Sequence, residues 1–196
     1  LADLATMGLA MRKVGEAAVV PTHSFSTEGK GKQNLRTAVN RAEREGSIFS
    51  VLMPGEAVEH EAELRAVSDA WLDHHEGTEK EFSLGRFDIS YLNQSPIAVV
   101  REEGRMVAFA NLLMGAGNKE AMIDLMRYVP DGPHGVMDYL FTRIAQWCRE
   151  TGIDHLDLGM APLSGLEDRR TSPVFARVGA LIFEEANAIY GFQGLR

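Results

Sequence analysis

Apolar and polar residues follow one another along the chain in the patterns of a mixed α/β protein. Short apolar or alternating runs predict strands, and a Gly-containing "REEGR" inside one run predicts a hairpin. The predicted strands are residues 16–20, 48–53, 96–115, 121–129 and 153–160. Apolar residues at helical spacing predict helices over residues 1–12, 30–45, 56–75 and 137–150.

The order of these elements predicts the fold class. A helix, an antiparallel hairpin, a third strand, a helix and a further strand follow each other between residues 56 and 160. That order matches the mixed sheet flanked by helices of the GCN5-related N-acetyltransferase type. Residues 77–88 are too polar and irregular to assign to an element and are predicted to form a loop.

Two charges interrupt the third strand of this series. Asp124 and Arg127 lie three positions apart in "AMIDLMRYV", although lone charges are costly to bury. In a regular strand their side chains would point to opposite faces of the sheet. One inserted residue would bring both to the same face, so we predict a β-bulge between them and a cleft beside them.

The loop after this strand differs from the phosphate loop of acetyl-CoA enzymes. Those enzymes bind pyrophosphate through backbone N–H groups of a glycine-bearing loop at a helix N-terminus. Here the segment is "RYVPDGPHGV", in which Pro130 stands at the fourth position from Arg127 and has no N–H to donate. An acetyl-CoA-dependent N-acyltransferase is therefore an alternative that the loop disfavours.

Composition and charge exclude several classes of protein. The 196 residues are 45% hydrophobic and 24% charged, with no apolar run as long as a membrane span requires. The lone Cys148 excludes an internal disulfide and suits a reducing compartment. The net charge of −8 argues against a general nucleic-acid coat, but residues 28–45 carry five basic against three acidic side chains. That segment is either a basic strip that guides a polyanion or a solvated helix face.

Several long motifs resemble one bacterial family. "GKGKQNLRTAVNRAEREG", "IDLMRYVPDGPHGVMDYLF", "DLGMAPLSGL" and "IYGFQGLR" are similar to the C-terminal domain of the aminoacyl-phosphatidylglycerol synthases, the multiple peptide resistance factors. The resemblance implies transfer of a lysyl or alanyl group from aminoacyl-tRNA to phosphatidylglycerol, without metal or coenzyme. This reaction would alter membrane charge and resistance to cationic antimicrobial peptides.

The resemblance also implies site residues. Asp124 and Arg127 match catalytic positions, and a Glu of the basic helix, Glu45 or Glu43, matches a third. Asp124 would orient or accept a proton, or bind the amino group of the donor, and Arg127 would bind phosphate or a developing oxyanion. The expected substrate-binding residues are Lys30, Lys32, Arg36, Arg41, Arg44, Ser164 and Tyr190.

The family context predicts the domain organisation. We expect residues 1–55 to contain the end of a first acetyltransferase-like half, and residues 56–196 a second half that is shortened at its C-terminus. A membrane-embedded flippase region would lie elsewhere in the parent protein, and this domain, itself soluble, would lie at the cytoplasmic face of the bacterial inner membrane. A domain shortened in this way can fold without being active.

Two other interpretations remain open from the residues alone. Asp124 and Arg127 can form a buried ion pair with no catalytic role. The domain can also be a non-catalytic module that binds anionic lipid or RNA through its basic strip.

Overall fold

A six-stranded sheet forms the centre of the fold in the computed structural model, which describes residues 15–74 and 86–162. The strands are β1 (Gly15–Pro21), β2 (Ile48–Leu52), β3 (Ile97–Glu102), β4 (Arg105–Met114), β5 (Glu120–Tyr128) and β6 (His155–Pro162). The helices are α1 (Gln33–Arg44), α2 (Glu61–His74), α3 (Ile89–Leu92) and α4 (Val136–Glu150). Across the sheet the order is β1-β6-β5-β4-β3-β2.

The sheet is mixed, which confirms the predicted fold class. Strands β2 to β5 pair antiparallel with their neighbours, while β6 pairs parallel to β5. The hairpin predicted over residues 96–115 is present, and it turns at Glu103 and Gly104, which both have positive φ. Two consecutive residues with positive φ suit a two-residue hairpin turn.

The predicted helices agree with the structure wherever it describes them. The basic helix begins with a 3-10 turn at Lys30–Lys32, continues as α1 and ends before Gly46, whose φ is 88°. The helix predicted over 56–75 is a 3-10 turn followed by α2. The helix predicted over residues 1–12 lies outside the described residues.

The short α-helix α3 was not predicted. It begins directly after the segment assigned to a loop, with the last residue of that segment as its N-cap. Its N-cap is Asp88, whose carboxylate accepts hydrogen bonds from the N–H groups of Ser90 at 2.8 Å and Tyr91 at 3.2 Å. An Asp cap of this kind stabilises a helix start and fixes the direction in which the next residues point.

The two faces of the sheet bury separate apolar clusters. On one side, here called the α4 face, strand residues such as Ala98, Ala110 and Ile123 pack against Leu140 and Ile144. On the other side, the α2 face, the strands contribute a second set of apolar residues that packs against α2 and α3. The members of that cluster include Ile97, Val99, Phe109, Leu125, Leu64, Val67 and Leu92.

Helix α1 belongs to the α4 face. Ala42 is buried in the cluster of that face and Val39 packs against it. The carboxylate of Glu43 lies 3.8 Å from the Arg143 guanidinium of α4. The basic helix is therefore fixed beside α4, and the sheet separates it from α2.

An ion pair attaches α2 to the neighbouring strand. The Arg101 guanidinium of β3 binds the carboxylate of Glu63 and also lies 3.3 Å from His60 Nδ1. The hydrogen bond from Arg101 lowers the pKa of Glu63, because it stabilises the charged form more than partial burial opposes it. The pair holds the first turns of α2 against the sheet.

Residues 19–158 form one compact unit, and the described residues 15–18 and 159–162 belong to a second. The first unit includes α1 and β2, which precede residue 55, as well as the strands that follow it. The predicted division into 1–55 and 56–196 concerns the halves of a longer family domain, and it stays a prediction.

Cys148 should resist alkylation in the native protein. The residue is fully buried, and burial raises the pKa of its thiol to about 12. Since the thiolate is the reactive form, very little of it exists at pH 8. We expect iodoacetamide to leave Cys148 unmodified in native buffer and to label it completely in guanidinium chloride, as measured by intact mass. Labelling at equal rates in both conditions would contradict the buried placement.

Candidate active site

Strand β5 contains the β-bulge that the sequence predicted. Ala110 of β4 pairs with Met126, and Leu112 pairs with Ile123. Between these pairs, β4 has the single residue Asn111 while β5 has two, Asp124 and Leu125. Two residues opposite one is the arrangement of a β-bulge.

The bulge changes which face of the sheet each following side chain occupies. Ile123 lies in the cluster of the α4 face, whereas Leu125 lies in that of the α2 face. Asp124 and Arg127 both contact residues of the α2 face, Tyr91 and Trp71 respectively. The inserted residue thus brings the two charged side chains to one side, as predicted.

Asn111 satisfies the backbone group that the bulge leaves without a strand partner. Its Oδ1 accepts a hydrogen bond of 2.7 Å from the Leu125 N–H, and the residue is completely buried. Buried backbone N–H groups are almost always paired, because an unpaired one has lost its water without a replacement. A side-chain oxygen here takes the place of a strand carbonyl.

The carboxylate of Asp124 is held by a tyrosine of α3. The Tyr91 hydroxyl donates a hydrogen bond of 2.6 Å to Asp124 Oδ2. Burial raises the pKa of Tyr91, and the hydrogen bond to Asp124 raises it further. The Asn111 amide opposes this rise, although its nitrogen makes no hydrogen bond of normal geometry among the described residues. Tyr91 therefore stays a proton donor that orients the carboxylate.

Arg127 stacks on an aromatic ring of α2. Its guanidinium carbon lies 4.1 Å from the centre of the Trp71 ring, and its Nη1 donates a 3.0 Å hydrogen bond to the Met126 carbonyl. A guanidinium stacked in this way keeps its charge and is restricted in orientation. The arrangement suits the binding of a phosphate or of a developing oxyanion.

The loop between β5 and α4 uses its own amides internally. The Gly132 N–H donates to the Val129 carbonyl at 2.9 Å, and the Val136 N–H donates to the Pro133 carbonyl at 3.1 Å. A side chain at Gly132 would place its Cβ 2.8 Å from the Val129 oxygen, so the turn requires glycine. With Pro130 and Pro133 contributing no N–H, these turns differ from an amide nest for pyrophosphate.

The predicted basic residues lie on the α4 face or near it. Arg36 donates to the carbonyls of Thr27 at 2.5 Å and Gly29 at 2.8 Å, while Lys32 lies 5.3 Å from the centre of the Phe25 ring. These contacts give Arg36 a structural role at the start of α1. Lys30 and Arg44 are exposed.

Arg41 connects α1 to the loop before α4. Its Nη1 lies 2.9 Å from His134 Nδ1, and its Nε lies 3.9 Å from a carboxylate oxygen of Glu45. The structure therefore joins Glu45 to the basic helix. It does not bring Glu45 or Glu43 together with Asp124, which lies on the other side of the sheet. Ser164 and Tyr190 lie outside the described residues.

An open groove of about 280 Å³ lies apart from this site. It runs on the α4 face beside β2, and its lining includes Phe49, Arg143 and Trp147. Asp124 and Arg127 do not line it. The chemistry of the charged pair, rather than this groove, defines the candidate site.

Two structural possibilities find no support among residues 15–74 and 86–162. These residues include no group of three or more His, Cys, Asp or Glu side chains placed to bind a metal ion. None of the helices they form has the length and apolar character needed to cross a membrane.

Sequence reasoning identified the charged pair but missed three of the residues that hold it. The three are Trp71, Tyr91 and Asn111, none of which is among the residues predicted for the site. For Asn111 a signal existed, since it is the one uncharged polar residue between Met106 and Met114 in an otherwise apolar strand. For Tyr91 the "FDISYL" capping pattern could have predicted a helix but not its partner.

Comparisons with known proteins agree with this architecture. The crystal structure of the C-terminal domain of a putative lysylphosphatidylglycerol synthetase from Agrobacterium fabrum is similar, with 40% identity and a TM-score of 0.83 over 100% of this chain and 58% of that chain. The structure of L-PGS from Bacillus licheniformis gives 41% identity and a TM-score of 0.83, covering 100% of this chain and 59% of that chain.

A curated relative shows the same similarity in sequence. The phosphatidylglycerol lysyltransferase of Bacillus subtilis (strain 168) is 43% identical over 185 residues, which are 94% of this chain and 21% of the relative. That of Staphylococcus aureus (strain N315) is 35% identical over 94% of this chain. The chain thus spans about a fifth of the length of the curated relatives it matches.

The fold and the site define a mixed α/β domain with an acid and a stacked arginine side by side on one sheet face. All of residues 1–196 match the family model described as "Phosphatidylglycerol lysyltransferase, C-terminal". The chain belongs to this family, and the resemblance predicted from its motifs is confirmed.

The stacking of Arg127 on Trp71 should be measurable as a coupling energy. We expect a double-mutant cycle of Trp71→Leu and Arg127→Met to give about 0.5–2 kcal/mol of interaction in urea unfolding, because both changes remove the same contact. Trp71→Phe keeps a ring and should retain part of it. As a control, Trp71→Leu with Arg105→Met, an exposed residue of the hairpin, should be additive. Additivity in both cycles would contradict the stack.

Proposed function

We propose that the chain is the catalytic part of an aminoacyltransferase that moves an aminoacyl group from aminoacyl-tRNA to phosphatidylglycerol. The observation that carries the proposal is the placement of Asp124 and Arg127 on one sheet face, held by Tyr91 and Trp71, in a member of this family. Because the B. subtilis and S. aureus relatives are named lysyltransferases, the lysyl group is the favoured aminoacyl group.

The proposed reaction exchanges one ester for another. A glycerol hydroxyl of the lipid attacks the carbonyl carbon of the aminoacyl ester, and the bond between that carbon and the ribose oxygen of the tRNA breaks. The hydroxyl loses its proton, and the departing ribose oxygen gains one. The products are aminoacylated lipid and free tRNA, so neither an oxidant nor an energy source is consumed.

Asp124 is suited to the proton transfer or to holding the amino group of the donor. Its carboxylate accepts a bond from Tyr91, which fixes one oxygen and leaves the group oriented. An oriented carboxylate can accept the proton of the attacking hydroxyl, or pair with the positive α-amino group next to the reacting ester. Both tasks require a carboxylate at this place.

Arg127 is suited to stabilising the negative charges present in the proposed reaction. Attack on the ester carbonyl places charge on its oxygen, and the lipid contributes a phosphate close to the attacking hydroxyl. A guanidinium restricted by stacking can donate hydrogen bonds to either group with little loss of its own freedom. Arg127→Lys would keep the charge but lose the planar donor geometry.

The basic residues of α1 are proposed to hold the polyanionic partners. The expected partners are aminoacyl-tRNA, the anionic membrane surface and the flippase region of a parent protein, with this domain at the cytoplasmic face of the inner membrane. Lys30 and Arg44 are exposed, so their charges can reach a phosphate without breaking an internal contact. Any partner that contacts both these residues and Asp124 has to pass around an edge of the sheet.

A second candidate function is supported by the same separation. Because the basic helix lies on the α4 face, away from Asp124, the domain could bind anionic lipid or RNA through that helix alone. Binding that survives loss of Asp124 and Arg127, without any transfer, is the behaviour of such a module.

Asp124 should be required for transfer. The test uses the full chain and also a chimera in which this chain replaces the matching region of the B. subtilis relative. Each is mixed with phosphatidylglycerol vesicles and tRNA charged with labelled amino acids, and label in the lipid is counted. Asp124→Asn should reduce the rate roughly a hundredfold or more, since it removes the proton acceptor.

The matched control is Asp138→Asn, an exposed carboxylate in the first turn of α4. It should transfer at the rate of the unchanged protein. Equal loss in both variants would argue against a specific role of Asp124. No label from any charged tRNA, with vesicle binding intact in both proteins, would favour the binding module.

Arg44 should contribute to polyanion binding and not to the chemical step. Arg44→Glu should weaken binding to tRNA and to anionic vesicles, and it should lower the dependence of log affinity on log salt by about one charge or more. Arg105→Glu changes the same residue type at an exposed hairpin position and serves as the control. Salt dependence that is identical for the two variants would exclude this helix as the binding surface.

A further inference from the structure

Asn111 is a buried polar residue whose position calls for an explanation. It is completely buried in the central strand β4. Its amide nitrogen acts on the Tyr91 hydroxyl but makes no hydrogen bond of normal geometry among the described residues. A buried donor without a partner costs roughly 1–3 kcal/mol in general, and a leucine of similar size would avoid that cost. The oxygen of the same side chain must therefore supply something that a leucine cannot.

The oxygen supplies an acceptor at the bulge. The Leu125 N–H, 2.7 Å from Asn111 Oδ1, belongs to the residue that the bulge adds to β5. It lies in the core, where water cannot replace the acceptor. An apolar side chain at position 111 would leave this N–H unsatisfied, and a regular ladder, in which no β5 N–H needs a side-chain acceptor, would become the better arrangement.

The choice between the two ladders decides where the charges point. With regular alternation after Ile123, Asp124 would lie on the α2 face and Arg127 on the α4 face. Tyr91 and Trp71 both lie on the α2 face, so Asp124 would keep its bond to Tyr91, while Arg127 would lose its stack on Trp71 and leave the face that carries Asp124. The bulge is thus a condition for the site.

We propose that Asn111 is a positioning residue of the transfer reaction, which fixes the bulge of β5 and thereby holds Asp124 and Arg127 on one face. The inference rests on the proposed function for its catalytic part. Its structural part, the control of the strand register, stands on the Leu125 hydrogen bond alone. Asn111 acts through these two residues and touches no substrate in this role.

The first test follows the Leu125 amide and requires no activity. In the full chain, hydrogen exchange measured by NMR should be slow at Leu125, and Asn111→Leu should speed it up strongly relative to its neighbours in β4. Asn111→Asp keeps the acceptor oxygen and should preserve most of the protection. Thr142→Val, a buried polar residue of α4 on the other sheet face, controls for general loosening of the core.

The second test follows transfer by the chimera defined above. Asn111→Leu should lower kcat roughly tenfold to a hundredfold, because moving a catalytic group by about 1 Å reduces the rate by a factor of that size. KM for tRNA should change little, since the basic helix is untouched. Thr142→Val should leave both constants unchanged, and Asn111→Asp should recover part of kcat.

The outcomes separate the two levels of the proposal. Unchanged exchange at Leu125 in Asn111→Leu, or equal loss of protection in Asn111→Asp, would overturn the role of Asn111 in the register. Transfer by Asn111→Leu at the rate of Thr142→Val would overturn its role in positioning. If the chimera without substitutions transfers nothing, the proposed reaction and the positioning role of Asn111 are both rejected. Hydrogen exchange at Leu125 still tests whether Asn111 fixes the strand register.

Discussion

A backbone N–H that loses its strand partner inside a protein must find another acceptor, and the Leu125 N–H finds the side chain of Asn111. This single bond permits β5 to carry one residue more than β4 at that point. Everything after it on β5 is shifted by one residue, so the sheet turns Asp124 and Arg127 to the same face. Of the two other supports, the Trp71 stack on Arg127 depends on this shift, whereas the Tyr91 bond holds Asp124 on the face it would occupy in either ladder.

The supports of the two charges differ in kind. Tyr91 fixes Asp124 through a hydrogen bond, which is directional and places one oxygen in a defined position. Trp71 holds Arg127 through a ring face, which restricts the plane of the guanidinium without binding a particular N–H group. One oxygen of Asp124 is thus held in a fixed position, whereas the Arg127 guanidinium can adjust to a group that moves or develops charge.

The sheet also separates the Asp124–Arg127 pair from the basic residues of α1. The acid–arginine pair lies on the α2 face, and the exposed basic residues of α1 lie beside α4. A small ligand could contact one group only. The proposed RNA donor, a large polyanion, would have to reach around the sheet edge to contact both.

Much of the fold could be predicted because its signals are local. Alternation located the strands, helical spacing located the helices, and the cost of placing Asp124 and Arg127 in a strand pointed to the bulge. What could not be predicted were contacts between distant segments. Tyr91 comes 33 residues before Asp124, in a stretch without a clear pattern, and no local rule says which side chain will meet a carboxylate across the core.

The position of Glu45 is a second case in which the sequence did not predict how distant segments are placed. The family resemblance implied a Glu of the basic helix as a third catalytic residue, and sequence alone could not say how the helix is placed. In the structure Glu45 lies by Arg41, on the side of the sheet away from Asp124. Its role in the reaction stays a prediction, and with this placement it would have to act on a part of the substrate that reaches around the edge.

In the proposed function, any phosphate bound near the loop before α4 would have to be recognised without an amide nest. Its prolines have no N–H, and the amides of Gly132 and Val136 are used in turns. Charged side chains then remain to bind an anion near this helix start, and Arg41 is held there by His134. Side-chain cations bind phosphates with less strict geometry than a rigid ring of amides, and their contribution depends on salt. Such recognition tolerates the varied phosphate positions of a nucleic acid or a lipid surface, and it gives up the fixed fit that a single pyrophosphate requires.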